Sequence, residues 1–439
     1  MTTALLDDPL IANATAATRD RAVSFDMRAG LRYGPLGLPL AFLALPLYVL
    51  LPSYYADTFG LSLATLGIVL LVARAFDAAL DPFIGAAVDR AFARSTRTAW
   101  ALAAIAAVVV GAGFVGLFFP PVASNLLLVW LALGLVVTYV AFSVLTVIHQ
   151  AWGARLGGDA VQRSRVVAWR EGFGLVGVLT ASVVPLLFGM GVASTVLCAA
   201  LVVGVAQLAR APRGPADRRP AGASTSDWLL PWRQFRVRCL LAVFMLNGIA
   251  TAVPATLVLF FVRDRIEAPT WEPFFLVAYF AAAVLSVPAW VRAVRGVGLA
   301  RAWCAGIVLA IAAFAWAYTL GPGDHVGFLA VCIGSGVALG ADLTVPGALL
   351  TGAIQRAGHR ARAEGIYLGW WNAATKLNLG LAAGAALPLL GMAGYAPGRH
   401  DAQALQALSM AYVVVPCALK AMAGALLWRW RATIEGDER

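Results

Sequence analysis

The sequence predicts an all-α integral membrane protein of about twelve transmembrane helices arranged as two six-helix bundles. Three observations carry that expectation. Of the 439 residues, 61% are hydrophobic and only 13% charged, with a mean hydropathy of +0.81, far from the roughly half-apolar, quarter-charged make-up of a soluble domain. Apolar runs of about 20 residues, long enough for a helix to cross a bilayer, recur along the whole chain and are separated by short polar links. The net charge of +11 comes from arginines that gather in alternate links, the pattern of the positive-inside rule and not of a nucleic-acid patch.

Taken in order, Arg19, Arg21, Arg28 and Arg32 precede a first span at about 35–57, in which Pro39, Pro46 and Pro52 predict a bent helix. A second span ends at Asp89-Arg90, before a basic link with Arg94 and Arg97. The third stops at Pro120-Pro121. The fourth, about 125–152, carries Ser143, Thr146, His149 and Gln150, of which Ser143, Thr146 and Gln150 share a face. Arg155, Arg163, Arg165 and Arg170 read as the next basic link, with spans five and six within about 168–208. A polar stretch from Arg210 to Arg238 then divides the chain nearly in half. It includes Arg218-Arg219-Pro220 and the amphipathic run Asp227-Trp228-Leu229-Leu230-Pro231-Trp232-Arg233, which suits either a segment at the headgroup surface or a plain linker. Six more spans are expected at about 239–262, 271–292, 302–320, 326–354, 364–392 and 403–428. Arg292, Arg295, Arg301, Arg356, Arg360, Arg362, Arg429 and Arg431 fall on one side of this count, and Arg263, Arg265 and Arg399 on the other.

The count places an N-terminal segment at 1–33, one bundle at 34–209, the linker at 210–238, a second bundle at 239–428 and a tail at 429–439. Both termini are expected in the cytoplasm, because the first thirty residues lack a signal-peptide core, and the protein is expected as a monomer in the inner (plasma) membrane. Six spans, a basic linker and six spans form the outline of a major facilitator transporter, whose site lies between the halves near the midplane. The cysteines at 198, 239, 304, 332 and 417 stand singly in apolar segments, with neither metal nor disulfide spacing. No HExxH, GxSxG or paired-histidine motif occurs among four histidines, so neither an enzyme nor a bound cofactor is indicated.

The chemistry is concentrated in the second span. Arg74, Asp77 and Asp81 lie within eight residues of an apolar run, and each charge near a bilayer centre costs about 2.5 to 3.5 kcal/mol on insertion scales. At the helical turn they fall on one stripe, with two carboxylates beside a guanidinium. Such a pair can share a proton or hold a small cation. Lys376, one of two lysines in the chain, sits about twelve residues from either end of its span, roughly 18 Å by helical rise and too deep to snorkel. It is grouped with Trp371, Asn372 and Thr375 as a second site. Asp342, between Gly340 and Pro346, is expected either to line the same cavity or to cap a broken helix.

These residues resemble the glycoside-pentoside-hexuronide:cation symporter family, typified by the melibiose permeases. The likeness is carried by the run from Ala73 through Arg74, Asp77, Asp81 and Pro82 to Gly85, by Ala151-Trp152-Gly153-Ala154-Arg155-Leu156 with Arg163 and Arg170-Glu171-Gly172, and by Glu364-Gly365 through Lys376 to Gly394-Tyr395. The resemblance implies that Asp77 and Asp81 bind the coupling cation with Lys376 close by. It also implies symport of a small organic solute such as a glycoside, with a lysophospholipid-type amphiphile as the alternative substrate, favoured by the pair Trp370 and Trp371. Pro39 and Thr146 stand where the melibiose permeases carry sugar-binding aspartates, so a galactoside held by charge-assisted hydrogen bonds is not expected. Leu80 replaces a polar amide before the second aspartate, leaving Ser143 as an extra oxygen. Sodium needs several oxygen ligands whereas two carboxylates can share a proton, so a proton is expected over sodium as the coupling ion.

Overall fold

The computed structural model describes residues 25–61, 63–214, 227–393, 395 and 401–436; Arg19, Arg21, Arg218, Arg219, Pro220, Gly394 and Arg399 lie outside them. Twelve helical spans are present among the described residues. The first, α1 (27–59), is a broken rod: Asp26 caps its start through the Ala29 amide, and Pro46 opens a π-turn, Pro46–Leu50, before the last segment Leu51–Phe59. The bend expected from the prolines is therefore a real break in the hydrogen-bond ladder. Then come α2 (Leu63–Arg94), α3 (Thr96–Phe118) and α4 (Leu127–Leu156). After them α5 (Ala160–Pro185) and α6 (Leu187–Arg210) join at Gly189, whose φ of 78° turns the chain. The second half holds α7 (Phe235–Arg265), α8 (Glu272–Val297), α9 (Leu299–Ala317), α10 (His325–Arg356), α11 (Glu364–Met392) and α12 (Ala402–Glu435). Nine of these are long and apolar enough by length and composition to cross a membrane; the other three are the broken α1 and the pair α2 and α11, which bring the buried charges together.

Several expected boundaries move. The first helix already begins at Met27, capped by Asp26, eight residues before the expected start, so Arg28 and Arg32 lie inside it and do not precede it. Asp159 accepts a hydrogen bond from the Gln162 amide at 2.7 Å and starts α5 at Ala160, so Arg163, Arg165 and Arg170 lie inside a helix and not in a link. The arginines of its first turns lower the local hydropathy, which is why the span reads eight residues too short from sequence. The fourth span likewise runs on to Leu156 and takes Arg155 into its last turn. The last one extends to Glu435, whose carboxylate accepts from the Leu299 and Ala300 amides at 2.6 and 3.2 Å and so caps α9.

The two bundles meet where α2 packs along α11, α4 touches α11 and α5 meets α10. The end that carries the linker will be called the linker end. One apolar cluster runs through the N-terminal bundle and across this end into the linker-end halves of α7 to α12, while a second occupies the opposite half of the C-terminal bundle alone. In the linker, the short helix Leu230–Arg233 lies between Trp228 and α7. Trp228 stacks between Phe83 of α2 and Trp370 of α11, at 5.7 and 6.0 Å between ring centroids, and Trp370 donates to the Trp228 carbonyl at 2.8 Å. This half-exposed aromatic segment therefore straps the two bundles at that end.

Close approach of α2 and α11 rests on glycine. A Cβ on Gly85 would collide with the Gly365 carbonyl, and one on Gly369 with the Asp81 carbonyl, so the backbones touch as small residues allow in membrane packing. Gly85→Leu is expected to wedge the helices apart. In a background freed of its cysteines, spin labels at the exposed positions Arg94 and Arg362 will then report longer distances across the linker end than in the parent protein.

Candidate functional site

The α2–α11 contact brings the charged residues of both helices together. Asp77 and Asp81 are 2% and 0% exposed, and the Lys376 ammonium reaches from α11 between them, 2.6 Å from Asp77 Oδ2 and 2.8 Å from Asp81 Oδ2, with Asp81 Oδ1 at 2.9 Å. Ser143 of α4 completes the cluster. It accepts from Lys376 Nζ at 2.8 Å and donates to Asp77 Oδ1 at 2.7 Å. Two carboxylates, one ammonium and one hydroxyl from three helices thus form a closed hydrogen-bonded unit across the seam between the bundles. Its formal charge is two negative and one positive, so one negative charge remains for a further cation to neutralise. A group of three or more His, Cys, Asp or Glu able to hold a metal ion is absent among the described residues.

Arg74 takes a different place from the one its spacing suggested. It is half-buried one turn before Asp77, and among the described residues neither carboxylate is ion-paired with it; their charge partner is Lys376. A helical side chain leans toward the helix N-terminus, which carries the guanidinium away from the linker end, while the lysine enters from the facing helix.

The remaining expected site residues separate into three groups. Thr146, His149, Gln150 and Asn372 are buried or nearly so, Gln150 bordering a cavity between the bundles, and Thr146 Oγ1, His149 Nδ1, Gln150 Oε1 and Asn372 Nδ2 have no hydrogen-bond partner among the described residues. The other nitrogen of His149 bonds the Tyr33 carbonyl at 2.8 Å, and the ring lies 4.5 Å from that of Tyr33, so the imidazole also pins α4 to α1. Trp371 stacks on Phe244 of α7 at 3.7 Å, and together with Tyr33, Gln150, Arg163 and Arg170 it borders a small cavity between the bundles. Thr375 is spent on its own helix, donating to the Trp371 carbonyl at 2.9 Å.

Asp342 belongs to neither of the places expected for it. Helix α10 is unbroken from His325 to Arg356 despite Pro346, and Asp342 sits inside the C-terminal bundle, apart from the α2–α11 cluster. It pairs with Lys420 of α12 at 3.1 Å, and accepts from Asn247 of α7 at 3.0 Å and from Trp303 of α9 at 2.7 Å. Sequence reading passed over Lys420, yet the signal was there: it is the other lysine in the chain, set in an apolar span, and a buried opposite charge was available to it.

Residues with no earlier account close the linker end. Arg155, buried at the end of α4, lies 3.6 Å from Glu364, donates to the Ala361 carbonyl at 3.0 Å and covers the Phe92 ring at 4.4 Å. Arg360 reaches back to the carbonyls of Arg155 and Leu156 at 3.3 and 3.0 Å. Asp89 of α2 accepts from the Gly365 and Ile366 amides at 2.7 and 2.9 Å, so a carboxylate of one bundle caps the first helix turn of the other. Ala361, at φ 59°, is held in the left-handed region, which costs a non-glycine residue about 1 to 2 kcal/mol; its amide donates to Glu364 and its carbonyl takes Arg155.

A family model described as MFS/sugar transport protein matches residues 32–433. This chain belongs to that family. It is accordingly a major facilitator protein, a membrane-embedded transporter of small molecules and not an enzyme. A stretch of 77 residues, 18% of the chain, is 38% identical to 16% of the uncharacterized symporter YnaJ of Bacillus subtilis (strain 168). Among solved structures, a bacterial homologue of the iron transporter ferroportin in its outward-facing state superimposes with a TM-score of 0.65 at 16% identity, covering 93% of this chain and 100% of that one. The fucose:proton symporter FucP of E. coli gives a TM-score of 0.61 at 13% identity, covering 90% and 97%. These likenesses place the twelve helices in the major facilitator fold.

The Asp89 cap must break for the linker end to open. Asp89→Ala removes it, and loss of such a cap costs about 1 kcal/mol, a several-fold change in an equilibrium. The same pair of spin labels should show a larger fraction of the open form, with Asp89→Asn, which keeps an acceptor oxygen, falling between variant and parent.

Proposed function

We propose that this transporter is a cation-coupled symporter, driven by protons in preference to sodium, that moves a small polar organic solute by alternating exposure of a site between its bundles. The observation that carries the reading is the position of Lys376. Its ammonium already fills the space between Asp77 and Asp81 where a bound cation would lie, so a coupling ion must compete with the protein's own cation. A proton does so without needing a vacated space, because it adds to one carboxylate oxygen. Sodium would need the lysine displaced and several oxygens in its stead, and Leu80 supplies none.

In this scheme the unloaded cluster bridges the bundles with one surplus negative charge. Loading a proton on Asp77 or Asp81 brings the cluster to neutrality, weakens the hold of Lys376 across the α2–α11 seam and leaves its ammonium able to engage solute. The four orphaned polar atoms of Thr146, His149, Gln150 and Asn372 support a hydrogen-bonding solute, since buried polar groups ordinarily find partners. Trp370, which had favoured an amphiphile, is occupied by the linker. With both termini in the cytoplasm, a closed linker end corresponds to the outward-facing state, and the linker strap, the Asp89 cap and the Arg155–Glu364 pair form the inner gate.

The test uses proteoliposomes. With a library of labelled sugars and related hydroxylated solutes, an imposed proton gradient should drive accumulation at constant sodium. Asp77→Asn and Asp81→Asn should each abolish that accumulation while leaving counterflow measurable. Accumulation near the parent level in both variants, or strong stimulation by sodium with none from a pH gradient, overturns the assignment.

Lys376→Ala separates the coupling role from a structural one. Without the ammonium, the two buried carboxylates keep a proton to avoid facing each other as anions, so the carrier stays loaded. Net uptake should fall at least ten-fold while exchange of the same labelled solute persists, and Lys376→Arg should retain more net uptake than Lys376→Ala. Equal loss of uptake and exchange would make Lys376 a direct solute ligand instead.

A further inference from the structure

The C-terminal bundle holds a partly open cavity of about 170 Å³ that is bounded by α7, α8, α9, α10 and α12 and does not include α2, α4 or α11. Its walls are mostly aliphatic and aromatic, with Phe275, Phe280 and Phe314 among them. At one boundary lie Asp342 and Lys420, and the phenols of Tyr279 and Tyr412 also border it. We propose that this cavity is a binding site, distinct from the seam between the bundles, for an uncharged molecule the size of a single aromatic ring that carries one hydroxyl group.

Size sets the first limit. An apolar cavity on the order of 150 Å³ accommodates benzene, so this one admits one ring and a substituent. Charge sets the second. The Asp342–Lys420 pair is neutral as a unit, and Asp342 is supported by Asn247 and Trp303. A charged ligand would add an unbalanced charge to a largely apolar cavity, at a cost of several kcal/mol.

Hydrogen bonding sets the third. Lys420 donates to Asn247 Oδ1 at 2.9 Å and to Asp342 Oδ2 at 3.1 Å, which leaves one of its three ammonium hydrogens without an acceptor among the described residues. Neither phenolic hydroxyl, of Tyr279 or of Tyr412, has a hydrogen-bond partner among them. The cavity's other hydroxyls are satisfied locally: Thr251 donates to the Asn247 carbonyl at 3.0 Å and Ser335 to the Val331 carbonyl at 2.7 Å. The unmet hydrogen-bonding capacity is therefore two phenols and one ammonium hydrogen, which a ligand hydroxyl can meet as acceptor and donor without bringing charge.

The experiment is ligand-observed ¹⁹F NMR on the full-length protein in nanodiscs, with 4-fluorophenol as the probe, fluorobenzene as its counterpart without a hydroxyl, and empty nanodiscs as the partition background. Saturable binding of 4-fluorophenol above that background is expected, with fluorobenzene several-fold weaker. Tyr279→Phe with Tyr412→Phe keeps the shape and removes both hydroxyls; it should weaken 4-fluorophenol by about five-fold for each hydrogen bond lost and leave fluorobenzene unchanged. Ala310→Phe, which fills the cavity from α9, should abolish binding of both. Signals equal to those of empty nanodiscs, or an affinity for 4-fluorophenol that the double phenylalanine variant does not alter, overturn the site. Should Ala310→Phe fail to fold, the double variant alone decides.

Discussion

An ammonium group held between two carboxylates in an apolar interior is the interaction on which the rest of this structure depends. Each of these charges by itself would be expensive at membrane depth, and removing one partner from such a set leaves an uncompensated buried charge that costs several kcal/mol. Because Asp77 and Asp81 sit on α2 and Lys376 on α11, the charges can be satisfied only when the two bundles are in contact. Burial of charge and closure of the seam are thus one event. Gly85 and Gly369 allow it by letting the backbones touch, and Ser143 adds a third helix to the unit.

The linker end repeats the same physics with weaker components. Its contacts are a carboxylate capping a helix across the seam, a buried arginine against Glu364, two carbonyls gripped by Arg360 and a ladder of aromatic rings from Phe83 to Trp370. Each is worth on the order of 1 kcal/mol, and an assembly of small increments can be undone by a modest change elsewhere. A transporter needs that property, since two states that alternate must lie within a few kcal/mol of one another.

The C-terminal bundle carries a charge pair of its own with a different character. Asp342 and Lys420 lie on helices of the same bundle, and with Asn247 and Trp303 they tie α7, α9, α10 and α12 together. Nothing in rocking one bundle against the other would break these contacts. Under the proposed cycle, this pair stays intact while the Lys376 cluster is made and unmade; in the structure itself, Asp342–Lys420 joins helices of one bundle and Lys376 joins the two bundles.

The sequence by itself determined the architecture and the charged centre. Hydropathy and arginine placement dictate twelve spans in two sets because a helix is the local way to satisfy a backbone in lipid; the depth of Asp77, Asp81 and Lys376 marks them because a charge there must have a partner. Local periodicity, however, says which residues share a stripe on one helix and not what faces that stripe. Arg74 shares the stripe of Asp77, yet the cluster's cation is Lys376, almost three hundred residues away. Asp342 has the look of a site residue, and only packing reveals that its partner is Lys420. Arg155 reads in the sequence only as one arginine of a basic link, and its partners, the Ala361 carbonyl and Glu364, appear only in the fold. Tertiary structure alone decided these pairings, because an ion pair between helices depends on which faces meet, and that is settled by the collective fit of glycines, rings and apolar side chains along the whole seam.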